Sequence, residues 1–479
     1  MNKIKILFIS SVVLTLLIAG CSLDAPTEKQ TVLKPGTADF SRYVALGNSI
    51  TAGFQSGALT EKHQVYSYPN LLAKQMGVST FVQPLLAYPG LGAFTASDSA
   101  GILELVMLAS PTTGNPVITP VRYENYTAYT QMPYVSVDVV LYAAPYNNLG
   151  IPSTFTYDIM NAYDANNCYA ALGGSPNPMV DIVLRNVYNN PATTLTPFQQ
   201  AKALQPTFVT CWIGNNDVLG YATSGGTGPA APTDAGLFTQ LYGLMLDSLR
   251  LNLADTTALI VANIPNVCTI PYFTTVPYMV NVPGLADPVA LLIQTGAGAV
   301  RQATADDLIL LPAASVIGDT TGRYAQNNHP VGLALDAPLP NMLVLDADEV
   351  TIAEDAIEDF NLAISDLAEA RLLWVVDIHG AFNTIKANGF ETGGQDFSAD
   401  FITGGIFSLD GVHPSDLGHG IIANEFIKVI NAKFGASVPP VNILELSNKA
   451  TLKMNAAKVR IPGPDAFKSV IAACGGIVE

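Results

Sequence analysis

Charge is scarce in this chain of 479 residues: Asp, Glu, Lys and Arg supply 13% of it, about half the usual share. Basic residues are the scarcer kind, 22 Lys and Arg against 39 Asp and Glu, for a net charge of −17. So acidic a chain is a poor partner for nucleic-acid phosphates or an anionic bilayer surface. Cysteine is sparse too. Cys21, Cys168, Cys211, Cys268 and Cys474 are scattered without a C-x-x-C pair, which argues against a disulfide-stapled scaffold, a structural metal site or a redox pair. Cys211 sits in an apolar run and reads as a buried free thiol. Beyond the N-terminus no stretch reaches 18 uncharged apolar residues, so no membrane-spanning helix is expected. What is abundant is apolar material, 49% of the residues. That is enough to bury a large core and far too much for general disorder. Low charge and 19 Tyr also fit an outer-membrane barrel, which competes with a globular fold at this level.

The first twenty residues stand apart. Lys3 and Lys5 precede an apolar run from Ile6 to Leu17, followed by Ile18-Ala19-Gly20-Cys21. Positive flank, short apolar run and small residues predict a secretory signal peptide over 1–20. The tetrapeptide also resembles a bacterial lipobox. That resemblance implies cleavage before Cys21, lipidation of Cys21, and anchoring at the cell envelope, in the outer membrane of a Gram-negative cell. Residues 21–40, with Pro26, Pro35 and Gly36, read as a tether. Losing 1–20 removes two Lys and no acid, which takes the net charge from −17 to −19.

Short apolar runs then alternate with helical spacing. Tyr43 to Leu46 predicts a strand ending at Gly47, Pro69 to Met76 a helix, Pro197 to Leu204 another, and Phe208 to Ile213 a buried strand. From an N-cap at Thr233 or Asp234, Leu237, Leu241, Leu244 and Leu251 share one helical face, before a strand at Ala258 to Val261. Ala353, Ile357, Phe360, Ile364 and Leu367 repeat the pattern ahead of Leu372 to Val376, and a last helix runs from about Ser415 to Lys433. This alternation predicts an α/β fold with a doubly wound parallel sheet, and it demotes the barrel. Residues about 100–195 and 265–345 interrupt the pattern and read as large loop insertions, and 436–479 as a C-terminal extension.

Three clusters carry chemistry. Gly47-Asn48-Ser49-Ile50-Thr51-Ala52-Gly53 follows the first strand, placing Ser49 at a strand-to-helix turn where backbone N–H groups lack partners. Gly214-Asn215-Asn216-Asp217 follows another strand, where the Asn216 amide could donate to an oxyanion. Asp410-Gly411-Val412-His413-Pro414 spaces an acid three residues from a histidine, so that Asp410 could hold the His413 tautomer. His63, His329 and His379 lack a serine-facing context, and His419, inside the last helix, reads as a surface or packing residue.

In this order the clusters resemble the SGNH hydrolases of the GDSL lipase/esterase family, over about residues 41–435. The resemblance implies a three-layer, flavodoxin-like α/β domain and a serine esterase or lipase working through an acyl-enzyme. Ser49 would be the nucleophile, His413 the base, Asp410 its partner and Asn216 an oxyanion donor. A glycine after the second strand completes the oxyanion hole in this family. Gly90, following Phe81 to Leu86, is the choice for it, with Gly92 the fallback. No cofactor or metal is expected. Substrates would be lipid, glycan or small-molecule esters, with no nucleic acid and with the membrane as partner through the lipid anchor. Asn48 and Ile50 depart from the family's Asp and Leu; neither is a triad position. The competing reading is a non-catalytic lipid- or glycan-binding lipoprotein that keeps the fold.

Overall fold

The computed structural model describes residues 33–92, 94–95, 98–99, 101–109, 116–122, 145–186, 194–227 and 231–447. Cys21 and Cys474 lie outside them, as do the signal peptide and most of the tether. Five parallel strands make the central sheet: β1 (Tyr43–Gly47), β2 (Asn148–Gly150), β3 (Phe208–Trp212), β4 (Ala258–Ala262) and β5 (Trp374–Val376), in the order β5-β4-β3-β1-β2. The helices that cover it are α1 (Tyr68–Gln75), α2 (Pro197–Ala203), α3 (Asn216–Thr223), α4 (Ala235–Asn252), α5 (Ala347–Glu369), α6 (Ile378–Asn388) and α7 (Asp416–Phe434).

β3 shows why the layers number three. All five of its residues are buried, as expected of a parallel strand covered on both faces. Its side chains alternate. Trp212 meets Tyr68 of α1 and Phe426 of α7, while Cys211 Sγ lies 3.8 Å from Met245 Sδ of α4. Helices α1 and α7 therefore cover one face and α4, with its partner α5, the other. Phe238 of α4 stacks on Phe360 of α5 with centroids 4.0 Å apart. Local chemistry agrees with these boundaries. Asp346 and Glu349 form a capping box on α5, Thr196 and Gln199 another on α2, and Asp234 caps α4 by accepting the Leu237 N–H.

Three sequence expectations change. The strand beside β1 is β2, inside the stretch read as an insertion, whereas residues 81–87 form no strand. At three residues β2 is too short to show a period. Part of its hold comes from a side chain, the Asn148 Nδ2 donating to Thr51 O, in the helical turn after β1, at 2.8 Å. On α4 the leucine face points outward: Leu237, Leu244 and Leu251 are exposed, and Phe238, Tyr242, Met245, Leu246 and Leu249 are buried. The 3–4 spacing located a helix face correctly but could not say which face is inside, and the aromatic one won. Finally, 436–447 belongs to the core as far as it is described. Val438, Val441, Ile443 and Leu446 are buried as the chain runs back along α7, held by Asn431 and Asn424. No helix among the described residues is long and apolar enough to cross a membrane.

Candidate active site

In an open parallel sheet the carboxyl ends of the strands form the crevice, and two of the three clusters leave strands there. β1 ends at Gly47, where any side chain would run into Thr51 and the Trp212 carbonyl. Asn48 then caps a single turn of helix, Ser49–Ala52, by accepting the Ile50 N–H at 3.2 Å. Its Nδ2 donates to Asn215 Oδ1 at 3.0 Å, which ties the Ser49 turn to the start of α3. A carboxylate could not make that donation, so the Asn48 departure is used structurally.

The third cluster arrives from the loop before α7. Ser408 N donates to His413 O at 2.8 Å and Gly411 N to Ser408 O at 3.0 Å. Gly411 holds a φ of 73°, a conformation glycine adopts without strain. The loop sets His413 between its two partners: Nδ1 lies 3.0 Å from Asp410 Oδ2, and Nε2 lies 3.0 Å from Ser49 Oγ. All three side chains are buried. Asp410 accepts further bonds from Gly57 N (3.0 Å), Ser408 Oγ (3.0 Å), Val412 N (2.9 Å) and His413 N (2.9 Å). Burial pushes the Asp410 carboxyl up, but His413 beside it and the hydrogen bonds it accepts outweigh this and hold it below the usual carboxylate range. An ionised Asp410 accepts a hydrogen bond from the Nδ1–H, which keeps the proton on Nδ1 and leaves the Nε2 lone pair toward Ser49.

Asn216 opens α3 on the other side of Ser49. Its Nδ2 donates to Thr154 O at 2.8 Å, and its Oδ1 is buried without a partner among the described residues. An amide nitrogen carries two hydrogens, so one remains for a ligand. The structure does not bring Gly90 into this group. Its N–H closes a turn onto Ala87 O at 2.9 Å, and its loop pairs with Leu59. The chain that follows β2 stands there in its stead: Ile151 N donates to Gly47 O at 3.0 Å, and Thr154 O receives Asn216. Within this turn Ser153 holds a left-handed φ of 63°. The sequence signal for it was the run Asn148-Leu149-Gly150, hidden in the supposed insertion.

Over Ser49, His413 and Asn216 opens a pocket of about 500 Å3, its mouth included. Apart from the reactive groups its walls are largely apolar, with Trp212, Leu219, Val267, Ile270, Phe382, Phe407 and Val412. Val267 and Ile270 come from the chain after β4, and Phe382 from α6. A model of the family GDSL-like Lipase/Acylhydrolase matches residues 43–426, a span that takes in all three clusters. The chain belongs to this family. No curated protein matches it. An acylhydrolase of the GDSL family is thus folded around a buried serine, a histidine and a carboxylate in one hydrogen-bonded line.

The remaining histidines are placed elsewhere. His63 Nδ1 lies 2.9 Å from Asp416 Oδ1, His329 Nδ1 2.7 Å from Asp336 Oδ1, and His379 Nδ1 3.0 Å from Ile264 O. His419 is wholly buried, so it is a packing residue and not a surface one. It accepts the Tyr68 N–H at 3.3 Å, and burial pushes its pKa down to about 3. Cys168, Cys211 and Cys268 are free and buried, and burial pushes the Cys211 and Cys268 thiols up to about 12. Among the described residues no group of three or more His, Cys, Asp or Glu is arranged to hold a metal ion.

Proposed function

We propose that this GDSL-family acylhydrolase cleaves carboxylic esters through an acyl-enzyme on Ser49, with the acyl chain in the apolar pocket. The observation that carries the reading is the Asp410–His413–Ser49 line, 3.0 Å at each step, beneath that pocket. His413 Nε2 takes the Ser49 proton as Oγ attacks the ester carbonyl carbon, and returns it to the leaving alkoxide. Water then attacks the acyl-enzyme with the same histidine as base, releasing the acid and restoring Ser49. Asp410 stays ionised and stabilises the imidazolium. The oxyanion is met by the Ser49 amide, by the free hydrogen of Asn216 Nδ2 and by an amide of the turn at Ser153, which takes the place first given to Gly90. The lipobox-like Ile18 to Cys21 supports export and lipid anchoring at the cell envelope.

The apolar walls favour acyl chains over acetyl groups on a glycan. Each CH2 placed against them is worth about 0.8 kcal/mol, roughly fourfold in kcat/KM. On nitrophenyl esters from acetate to palmitate, the rate should climb from acetate to a medium chain, with acetylated polysaccharide a poor substrate. Preference for the polysaccharide would overturn the acyl assignment, and no turnover on any of these would return the protein to the binding-module reading.

A further inference from the structure

Because the five strands run parallel, their N-terminal ends gather at the end of the sheet opposite Ser49, and Tyr43, Phe208 and Ala258 are in register there. Helix α4 reaches this end at Leu251, in its last turn, and the turn after α5 carries Arg371 and Leu372 just before β5. Leu251 is 83% exposed and Leu372 84%. Between them Arg371 bonds Asp247 through Nε and Nη2, at 2.7 and 2.9 Å, which braces the ends of the two helices. Leu372 also holds a φ of 55°, where Gly or Asn would be more comfortable, so neither burial nor backbone geometry calls for leucine. Trp374 is partly exposed, with Lys433 Nζ 4.5 Å from its ring centroid.

The charge of this end differs from that of the whole. Lys34, Arg42, Lys202, Arg250 and Lys433 are exposed here, against exposed Asp39, Asp247, Asp255, Asp366 and Glu369, so this end is close to balanced in a chain whose net charge is −17. The N-terminal segment also arrives here. Lys34 and Ser437 exchange backbone hydrogen bonds at the foot of α7, and Thr37 N donates to Phe434 O at 2.8 Å. From Leu33 only twelve residues lead back to Cys21, a reach of at most about 40 Å fully extended.

We propose that this end of the sheet is a membrane-seating face. With Cys21 acylated, Leu251, Leu372 and Trp374 enter the interface of a phospholipid bilayer while the surrounding Lys and Arg meet its phosphates. The occupant is a bilayer because large apolar side chains with Lys and Arg beside them, on a nearly uncharged end of an acidic chain and where a lipid-bearing segment joins the fold, match the two layers of an interface. The consequence is orientation. Ser49 opens away from the anchoring membrane, so its esters arrive from the aqueous side and not from the leaflet that holds the anchor. The inference rests on the reading of Cys21 as the lipid attachment site.

The chain has two tryptophans, and Trp212 is buried, so Trp374 is a built-in depth probe. The test uses the mature full chain in vesicles of phosphatidylethanolamine and phosphatidylglycerol containing phospholipid brominated in its acyl chains. Trp374 emission should be quenched, and Trp374→Phe should remove the quenchable component. The pair Leu251→Asp and Leu372→Asp should lose most of the quenching with nitrophenyl-ester turnover unchanged. Unquenched Trp374 in a chain whose mass shows acyl groups on Cys21 would overturn the face and leave the anchor standing. A mature chain without acyl groups would overturn the proposal through its anchor. A dimer that the two Leu→Asp changes dissociate would assign the face to a second copy and overturn the bilayer.

Discussion

At the carboxyl ends of the strands Ser49, Asn216, Asp410 and His413 are polar and buried, whereas at the amino ends Leu251 and Leu372 are apolar and exposed. Both arrangements run against the usual sorting of residues, and for opposite reasons. Burying a polar group costs free energy unless a partner replaces water. At the first end nearly every atom has one, and the exception, Asn216 Oδ1, belongs to the residue proposed to meet the oxyanion. Exposing a large apolar group costs free energy unless something covers it. A site for chemistry and a site for contact thus share one sheet, separated by the length of its strands.

The contrast breaks most sharply at the serine. Ser49→Ala should lower kcat/KM on a preferred nitrophenyl ester by about 10^4-fold or more, with the melting temperature nearly unchanged. A variant retaining a tenth of the rate would end the comparison. Asn216→Ala should cost about 10^2- to 10^3-fold in kcat with a smaller change in KM. An effect on KM alone would make Asn216 a binding residue.

A third group sharpens the comparison within the interior. Asp158 is as buried as Asp410 but, among the described residues, has no histidine or other basic group beside it. Burial pushes its pKa up to about 7, and that of its neighbour Asp217 to about 6, despite the backbone and threonine donors around them. An acid whose pKa is higher folded than unfolded binds protons on folding, so its stabilisation is full below about 4 and is lost as pH rises through 7. Burial acts on His419 in the opposite sense, and that contribution is lost as pH falls below its unfolded value of 6.5. Above 6.5 the carboxyls dominate, and Glu349, its pKa pushed up to about 7 by burial, acts alongside Asp158. Stability measured by urea titration should fall by about 1 kcal/mol from pH 6.5 to 8, and Asp158→Asn should remove about half of that slope, with Glu349 supplying much of the rest. A slope unchanged in the variant would refute the assignment. The smallest expected effect lies at the other end of the sheet. Leu372→Asn, which suits the φ of 55°, should stabilise the free protein by less than about 1 kcal/mol and leave turnover alone.

Sequence reading went furthest where residues at fixed spacing must act together. Ser49, Asn216 and the Asp410–His413 pair were legible because each sits at an element boundary marked by glycine, asparagine or proline. Strands β1, β3 and β4 were legible because burial on both faces makes a continuous apolar run. β2 was not, because Asn148-Leu149-Gly150 carries one large apolar residue and relies on an asparagine side chain. Gly90 followed from that miss, since a glycine after the wrong strand was taken as the oxyanion donor. On α4 the leucines hid the inner face, because Phe238 and Tyr242 stack into the core while Leu244 and Leu251 do not.

The central claim is that Ser49 is a live nucleophile activated by His413, and labelling with a fluorophosphonate tests it most directly. The intact protein should gain one adduct, mapped to Ser49, with the labelling rate reduced by orders of magnitude in His413→Ala. An unlabelled wild-type protein, or an adduct on any other residue, would contradict the account.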